Sequence, residues 1–198
     1  MKLRISLMTA LIGTITLTSG ALMAENTKSH HDKEKSILEQ AAKQRIGNFA
    51  KNLGGTLKAA MAEGGFPHGV KMCKEKAPGI AAKLSTDGWE VGRTSLKVRN
   101  SSNAPDSWEQ DVLRSFEVQK ANGAAFSSLI HSEIVEEGGK RTYRYMRAIR
   151  AGEFCLACHG GNIDPVLAEK IKAAYPADQA TGFNAGDIRG AFSLSKSL

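Results

Sequence analysis

The residues with the clearest chemical pattern lie toward the end of the chain, where Cys155, Cys158 and His159 form a C-x-x-C-H motif. This is the attachment signature of haem c, because two sulfurs three residues apart on one turn reach both vinyl groups of a porphyrin edge. The imidazole that follows is the usual proximal ligand of the iron. A disulfide or half of a zinc site is the alternative, but a zinc site needs a second cysteine or histidine pair at ligand spacing. The motif therefore predicts one covalent haem c with His159 as the proximal ligand.

The start of the chain has the order of a bacterial export signal. Lys2 and Arg4 precede an apolar run, and small residues follow it up to Ala24. We therefore predict a signal peptide over residues 1–24 and a periplasmic location. The apolar run is too short to cross a bilayer, and no later segment approaches the ~20 apolar residues of a spanning helix, so we expect no integral membrane segment.

The rest of the chain is long enough for one compact domain. Residues 25–34 are mostly polar and predict a disordered lead-in, and residues 35–198 predict a single domain without repeats. The formal net charge is +7, but the basic residues are scattered and an exported chain seldom meets nucleic acid. We therefore expect no nucleic acid partner and interpret the charge as solubility and steering toward acidic redox partners.

The third cysteine needs a separate explanation. Three cysteines in an exported protein cannot all pair as disulfides, and two thioethers to haem would leave Cys73 as a free thiol. Iron ligation would explain that thiol, although a lone inward cysteine is more often a small core residue. An open, five-coordinate iron is a further alternative. The candidates that spacing alone gives for the sixth ligand are Cys73, Met72, Met146, His68 and His131.

Hydrophobic spacing predicts an α+β domain in which a small antiparallel sheet packs beside long N-terminal helices. Cys73 falls on the inner face of the second helix. The expected elements in chain order are a helix over 33–62, a turn over 63–67, a second helix over 70–84 that bends near Pro78, a strand over 89–99, a helix from Pro105 and Asp106, a hairpin of strands 126–136 and 140–150, a helix over 164–174, and a strand over 188–194.

A series of short segments, taken in order, resembles one known family. The segments are V-K-M-C-K at 70–74, R-T-S-L-K-V-R-N at 93–100, C-L-A-C-H-G at 155–160 and G-D-I-R-G at 186–190. They resemble the periplasmic haem c family with a PAS-like fold, whose members stand alone or form sensor modules of bacterial signalling proteins. The resemblance implies a PAS-like domain over 35–198 with one covalent haem. It also implies that His159 and Cys73 are the two axial ligands.

Arginines on or near the predicted strands are candidate partners for the haem propionates. The resemblance favours Arg93 and Arg99, although a solvated strand face is the simpler explanation for each arginine alone. Arg144, Arg147 and Arg189 are further candidates. Tyr143 and Tyr145 are candidate propionate donors too, unless they only pack in the core.

The expected function is electron transfer or redox sensing, with a redox partner protein or a separate signalling protein. The alternative is a sensor of NO or CO in which Cys73 is a labile ligand. We do not expect an enzyme, because a six-coordinate iron has no open position for a substrate and no distal acid and base pair is evident.

Overall fold

A computed structural model describes the backbone of residues 19–198 and the side chains from residue 31 onward. Most of the predicted signal peptide therefore lies outside the described residues. The chain divides into two compact units, residues 1–36 and residues 37–198. The strands and the candidate site belong to the second unit. Within the described part of the chain, no helix is long and apolar enough to cross a membrane.

The N-terminal helix α1 spans Ser19–Glu75 and changes direction at one point inside that range. The backbone leaves helical geometry at Gly64 and Gly65, and Gly65 has φ of 68°. This left-handed conformation favours glycine because a Cβ atom would be strained there. Pro67 lies in the first turn of the helical segment that follows, where its missing N–H leaves no helical hydrogen bond unmade. The turn predicted over 63–67 is confirmed as this break in the helix.

Helix α1 also runs through residues 25–34, for which the sequence predicts a disordered lead-in. Between Gly20 and Gly47 the chain contains no glycine and no proline. Nothing in the local sequence therefore ends the helix, and polar composition alone does not exclude a helical backbone.

The remaining elements are α2 (Ala77–Leu84), β1 (Trp89–Thr94), α3 (Ser107–Ala121), β2 (Ile130–Glu137), β3 (Lys140–Arg150), α4 (Glu153–His159), α5 (Pro165–Ala174) and β4 (Ile188–Ser197). This mixture confirms the α+β class. Helix α3 begins after Asp106, whose carboxylate accepts from the backbone N–H of Glu109 while Glu109 accepts in return from the N–H of Asp106. Such a capping box satisfies two backbone donors at the start of a helix.

Two strands are shorter than the sequence predicts. Strand β1 ends at Thr94 because the hydroxyl of Ser95 binds the backbone of Lys97 and turns the chain away from the sheet. Strand β2 begins at Ile130, because the hydroxyl of Ser128 donates to the carbonyl of Ala125 and closes a short helical turn there. Local side-chain hydrogen bonds of this kind compete with strand pairing.

The four strands form one antiparallel sheet in the order β1-β4-β3-β2. Alternate residues of β3 point to opposite faces, as the pleat requires. One face packs against α1 through Leu38, Ala42, Ile46, Phe49, Trp89, Val91, Tyr143, Tyr145 and Leu194. The other face packs against α3 through Val112, Leu113, Phe116, Leu129, Met146, Ala148, Ile188 and Ala191. Residues 37–198 therefore have a sheet covered by helices on both faces.

Candidate functional site

A cavity of about 270 Å³ collects residues from distant parts of the chain. Its walls come from the end of α1, from α2, β1 and α4, and from the segments around Tyr175 and Arg189. Most of the lining is apolar, and no carboxylate of the described residues lines it. The apolar lining residues of α1 are Phe49, Leu53, Leu57, Met61, Phe66 and Val70.

The C-x-x-C-H motif forms helix α4, a short element that the sequence does not predict as a helix. Cys155 and Cys158 are three residues apart, so they lie on the same side of this helix and both line the cavity. Both are free thiols and partly buried. Gly160 ends the helix, and a Cβ at this position would lie 2.6 Å from the carbonyl oxygen of Leu156. Only glycine therefore permits this tight exit from the motif.

His159 is held by a hydrogen bond to the backbone. Its Nδ1 lies 2.8 Å from the carbonyl oxygen of Ala180, so the Nδ1–H donates to that oxygen. Burial lowers the pKa of His159 to about 3, with the charges of Arg189 and Arg99 acting in the same direction. The imidazole is therefore neutral at neutral pH, and its Nε2 lone pair is available for a metal. A metal-ligating histidine typically has this arrangement, because the bonded nitrogen fixes the tautomer.

Cys73 lines the same cavity from the segment of α1 that follows the break at Gly65. Burial raises the pKa of its thiol, and the charges of Arg93, Arg99 and Arg189 partly oppose that shift. Among the five sequence candidates for the sixth ligand, Cys73 is the one that lines the cavity.

The other four candidates lie elsewhere. Met72 is buried beside Cys73 but is not a lining residue, and Met146 lies on the α3 side of the sheet. His68 lies next to Glu63, with Nε2 and Oε2 4.0 Å apart. His131 lies on β2 against the ring of Trp108.

The three arginines in the cavity wall have different surroundings. Arg93 lies over the ring of Phe49, with the guanidinium carbon 5.7 Å from the ring centroid, and makes no side-chain hydrogen bond or ion pair among the described residues. The Nε atom of Arg189 is buried and has no hydrogen-bond partner among the described residues. Burial lowers the pKa of Arg189 to about 10. A buried unpaired donor requires an acceptor. Arg189 donates through Nη1 to Oγ of Ser95 at 3.2 Å, so its Nε and the guanidinium of Arg93 are the donors in this wall that lack a partner among the described residues.

Arg99 is bonded to protein groups. Its Nε donates to Oδ1 of Asp178 at 3.1 Å, and its Nη2 lies 3.0 Å from Oδ2 of the same carboxylate. Nη2 also donates to the carbonyl oxygens of Cys158 and Ala180, at 2.5 and 3.2 Å. Pairing with a propionate therefore stays a prediction for Arg99, and its visible contacts hold the backbone around His159.

Four further candidates lie outside the cavity. The rings of Tyr143 and Tyr145 are fully buried in the core on the α1 face of the sheet, and neither residue lines the cavity. Arg144 donates to Oδ2 of Asp106 at 2.6 Å and lies over the ring of Trp108. Arg147, on β3, is not a lining residue. The expectation that these residues surround a haem pocket is wrong, because the sheet turns their side chains toward α1, toward α3 or toward solvent.

Sequence reasoning missed Met61 and Tyr175 as lining residues. Met61 continues the four-residue spacing of Phe49, Leu53 and Leu57 along α1, so the periodicity contained a signal for it. Tyr175 lies in the loop after α5, where no local pattern distinguishes a site residue. Burial raises the pKa of Tyr175 to about 12, so its hydroxyl keeps its proton at neutral pH.

The chain is similar to known proteins over most of its length. The family model described as Tll0287-like matches residues 19–197. The chain belongs to the Tll0287-like family. A solved member, described as the crystal structure of the cyanobacterial heme-protein Tll0287, is 25% identical and superimposes with a TM-score of 0.52. The match covers 86% of this chain and 96% of that one. No curated protein matches this member of the Tll0287-like family.

Proposed function

We propose that this member of the Tll0287-like family is an exported c-type cytochrome with one haem, acting in electron transfer or redox sensing. Thioethers from Cys155 and Cys158 hold the haem, and His159 and Cys73 are the axial ligands of its iron. When bound, the haem supplies a one-electron redox couple. Residues 1–24 direct export to the periplasm, where the domain over 35–198 meets a redox partner protein or a separate signalling protein. In this proposal the protein is not an enzyme.

One observation carries the proposal. The three residues of the C-x-x-C-H motif and the remaining cysteine, far apart in sequence, line one apolar cavity. The same cavity presents the neutral imidazole of His159, whose Nδ1 is hydrogen-bonded to Ala180 and whose Nε2 is free. A metal-ligating histidine typically has this arrangement. The related heme-protein, with a similar fold over most of both chains, supports the same cofactor.

The charges of the cavity wall suit a large apolar group with two carboxylates. Apolar side chains of α1 cover the ring, while Arg93 and the unpaired Nε of Arg189 supply donors for propionates. Arg99 is a third cation in the same wall, although Asp178 already neutralises it. We also propose that the four-stranded antiparallel sheet with its flanking helices is the PAS-like fold that the resemblance implies.

The thiol of Cys73 supports a second candidate function. Because burial raises its pKa, the thiol holds its proton whenever it is not bound to a cation. A Cys73 that took up a proton from solvent would bind the haem iron only weakly, and a small diatomic ligand could then take its place. In this alternative, the protein is a sensor of NO or CO. Rapid CO binding by the ferrous wild-type protein at neutral pH would favour the sensor, and refusal of CO would favour the carrier.

The first experiment tests covalent attachment. The full precursor, expressed with a haem c maturation system, should gain the mass of one haem and keep its colour after acid-acetone extraction. Replacing both motif cysteines, Cys155→Ala with Cys158→Ala, should abolish that covalent haem because no thioether can form. The matched control is Cys73→Ala, which should keep it. Extraction of the haem from the wild-type protein into the organic phase would contradict the proposal.

A further inference from the structure

The proximal side of the cavity contains an ion pair that is buried almost completely. The side chains of Arg99 and Asp178 are 10% and 9% exposed, although 79 residues separate them in the sequence. A buried ion pair is weak evidence for stability, because desolvation offsets much of the attraction. A gain in stability alone therefore does not explain why this pair is buried here.

Every polar group of the Ala180 peptide is connected to this pair or to His159. The N–H of Ala180 donates to Oδ1 of Asp178 at 2.9 Å. Its carbonyl oxygen accepts from the Nδ1–H of His159 at 2.8 Å and from Nη2 of Arg99 at 3.2 Å. The acceptor of the imidazole is thus fixed in place by the carboxylate and shared with a guanidinium.

The same guanidinium also reaches the motif helix, because Nη2 of Arg99 donates to the carbonyl oxygen of Cys158 at 2.5 Å. Two backbone hydrogen bonds complete the attachment: the N–H of Phe183 donates to the carbonyl oxygen of His159, and the N–H of Gly182 donates to the carbonyl oxygen of Gly160, both at 3.0 Å. The segment that carries Ala180 therefore cannot shift without disturbing the ion pair and the end of α4.

We propose that Arg99 and Asp178 form a buried clamp that positions the Ala180 carbonyl against the imidazole of His159 and thereby sets the reduction potential of the haem. This inference rests on the proposed function, since the potential belongs to the bound haem. Arg99 and Asp178 are positioning residues and need not touch the iron. They act through the hydrogen bond of His159 and through their own charges.

The two members of the clamp have opposite effects. Arg99 withdraws electron density from the carbonyl that it shares with His159, so the imidazole gains less anionic character and favours ferric iron less. Its positive charge acts in the same direction. Loss of Arg99 should therefore lower the potential, whereas neutralising Asp178 removes a negative charge near the iron and should raise it. If the pair only held the structure together, the loss of either partner would loosen the imidazole of His159. Both variants would then shift the potential in the same direction.

The test compares full-length holoprotein variants by spectroelectrochemical titration. Arg99→Gln should lower the midpoint potential, Asp178→Asn should raise it, and the double variant should return close to wild type because both charges are gone. Arg99→Lys keeps the positive charge but loses the two-point hydrogen bonding of the guanidinium to Asp178. Its midpoint potential should therefore lie much closer to wild type than that of Arg99→Gln. If a single variant fails to mature because it leaves a buried unpaired charge, the double variant, which leaves none, decides through the Nδ1–H of His159. Its exchange with solvent should be faster than in wild type, and exchange at the wild-type rate would overturn the clamp.

A second readout follows the hydrogen bond itself. The Nδ1 proton of His159, seen by NMR in the ferric holoprotein, should exchange with solvent faster in Asp178→Asn than in wild type, because the Ala180 peptide is less firmly held. The matched control is Asp87→Asn, which removes an exposed carboxylate paired with Arg45, 3.4 Å away and outside the cavity. That variant should change neither potential nor exchange.

The outcomes separate this inference from the proposed function. Shifts of equal sign in Arg99→Gln and Asp178→Asn, or unmoved potentials in a wild-type protein that holds its haem, would overturn the clamp alone. A wild-type protein without covalent haem would overturn both.

Discussion

At the scale of single residues, the position of Cys73 in the cavity wall supports its proposed role as an iron ligand. The thiol shares the cavity with His159, while the two sequence candidates of the same chemical class, Met72 and Met146, do not line it. The one methionine in the wall of the described cavity is Met61, which sequence reasoning missed. Apart from the two motif cysteines, loss of the thiol therefore leaves Met61, on the same helix, as the one sulfur-containing side chain in the described wall.

The variant Cys73→Ala tests whether this position makes Cys73 a ligand. The variant should keep its covalent haem but lose the thiolate-to-iron charge-transfer band of the ferric protein, which electronic and EPR spectra measure. Its reduction potential should rise, because ferric iron benefits more than ferrous iron from an anionic donor. Met61→Leu is the matched control and should leave both properties unchanged. A Cys73→Ala protein with the wild-type spectrum and potential would show that Cys73 only packs in the wall.

At the scale of elements, the break in α1 decides where Cys73 lies. The helical segment that carries Cys73 begins after Gly65, whose positive φ sets the direction of that segment. A straight continuation of α1 through this point would send the residues near Cys73 along a different line. The break is therefore a structural requirement of the site, although Gly64 and Gly65 do not line the cavity.

The substitution Gly65→Ala tests whether the break in α1 positions Cys73. Alanine at this φ of 68° and ψ of −165°, a combination essentially restricted to glycine, costs about 1–3 kcal/mol, so the free energy of unfolding should fall by that amount in urea titrations. The thiolate charge-transfer band should also weaken if the segment relaxes toward a straight helix. Gly47→Ala is the control within the same helix, where an added Cβ meets nothing within 4 Å. It should stabilise the protein by about 0.5–1 kcal/mol. Equal effects of the two substitutions would contradict a special role for Gly65.

Local signals in the sequence predict some of these elements and miss others. The turn over 63–67, the hairpin of β2 and β3, and the start of α3 could be predicted because glycine, proline and capping residues act locally. Helix α4 could not, since seven residues are too few to show a helical period. The ion pair of Arg99 and Asp178 could not be predicted either, because the two residues are 79 positions apart and meet only in the folded chain.

At the scale of the whole molecule, the sheet and the site are built on different principles. The sheet has a packed apolar core on each face, whereas the cavity beside it is an open volume of about 270 Å³ with a mostly apolar lining. Apolar walls around an open volume lose the packing contacts that a filled core provides. A domain with such a cavity should therefore depend on what fills it.

The last prediction follows from that dependence. Binding to the native state alone stabilises a protein, and a covalent group cannot dissociate, so the holoprotein should resist thermal unfolding better than the Cys155→Ala and Cys158→Ala double variant. Emptying a cavity of about 270 Å³ should reduce the free energy of unfolding by at least about 3 kcal/mol. Differential scanning calorimetry measures the difference, and Cys73→Ala, which keeps the haem, should lose much less. Equal unfolding temperatures for holoprotein and double variant would mean that the walls close without a cofactor, and the cavity would then not be built around the haem.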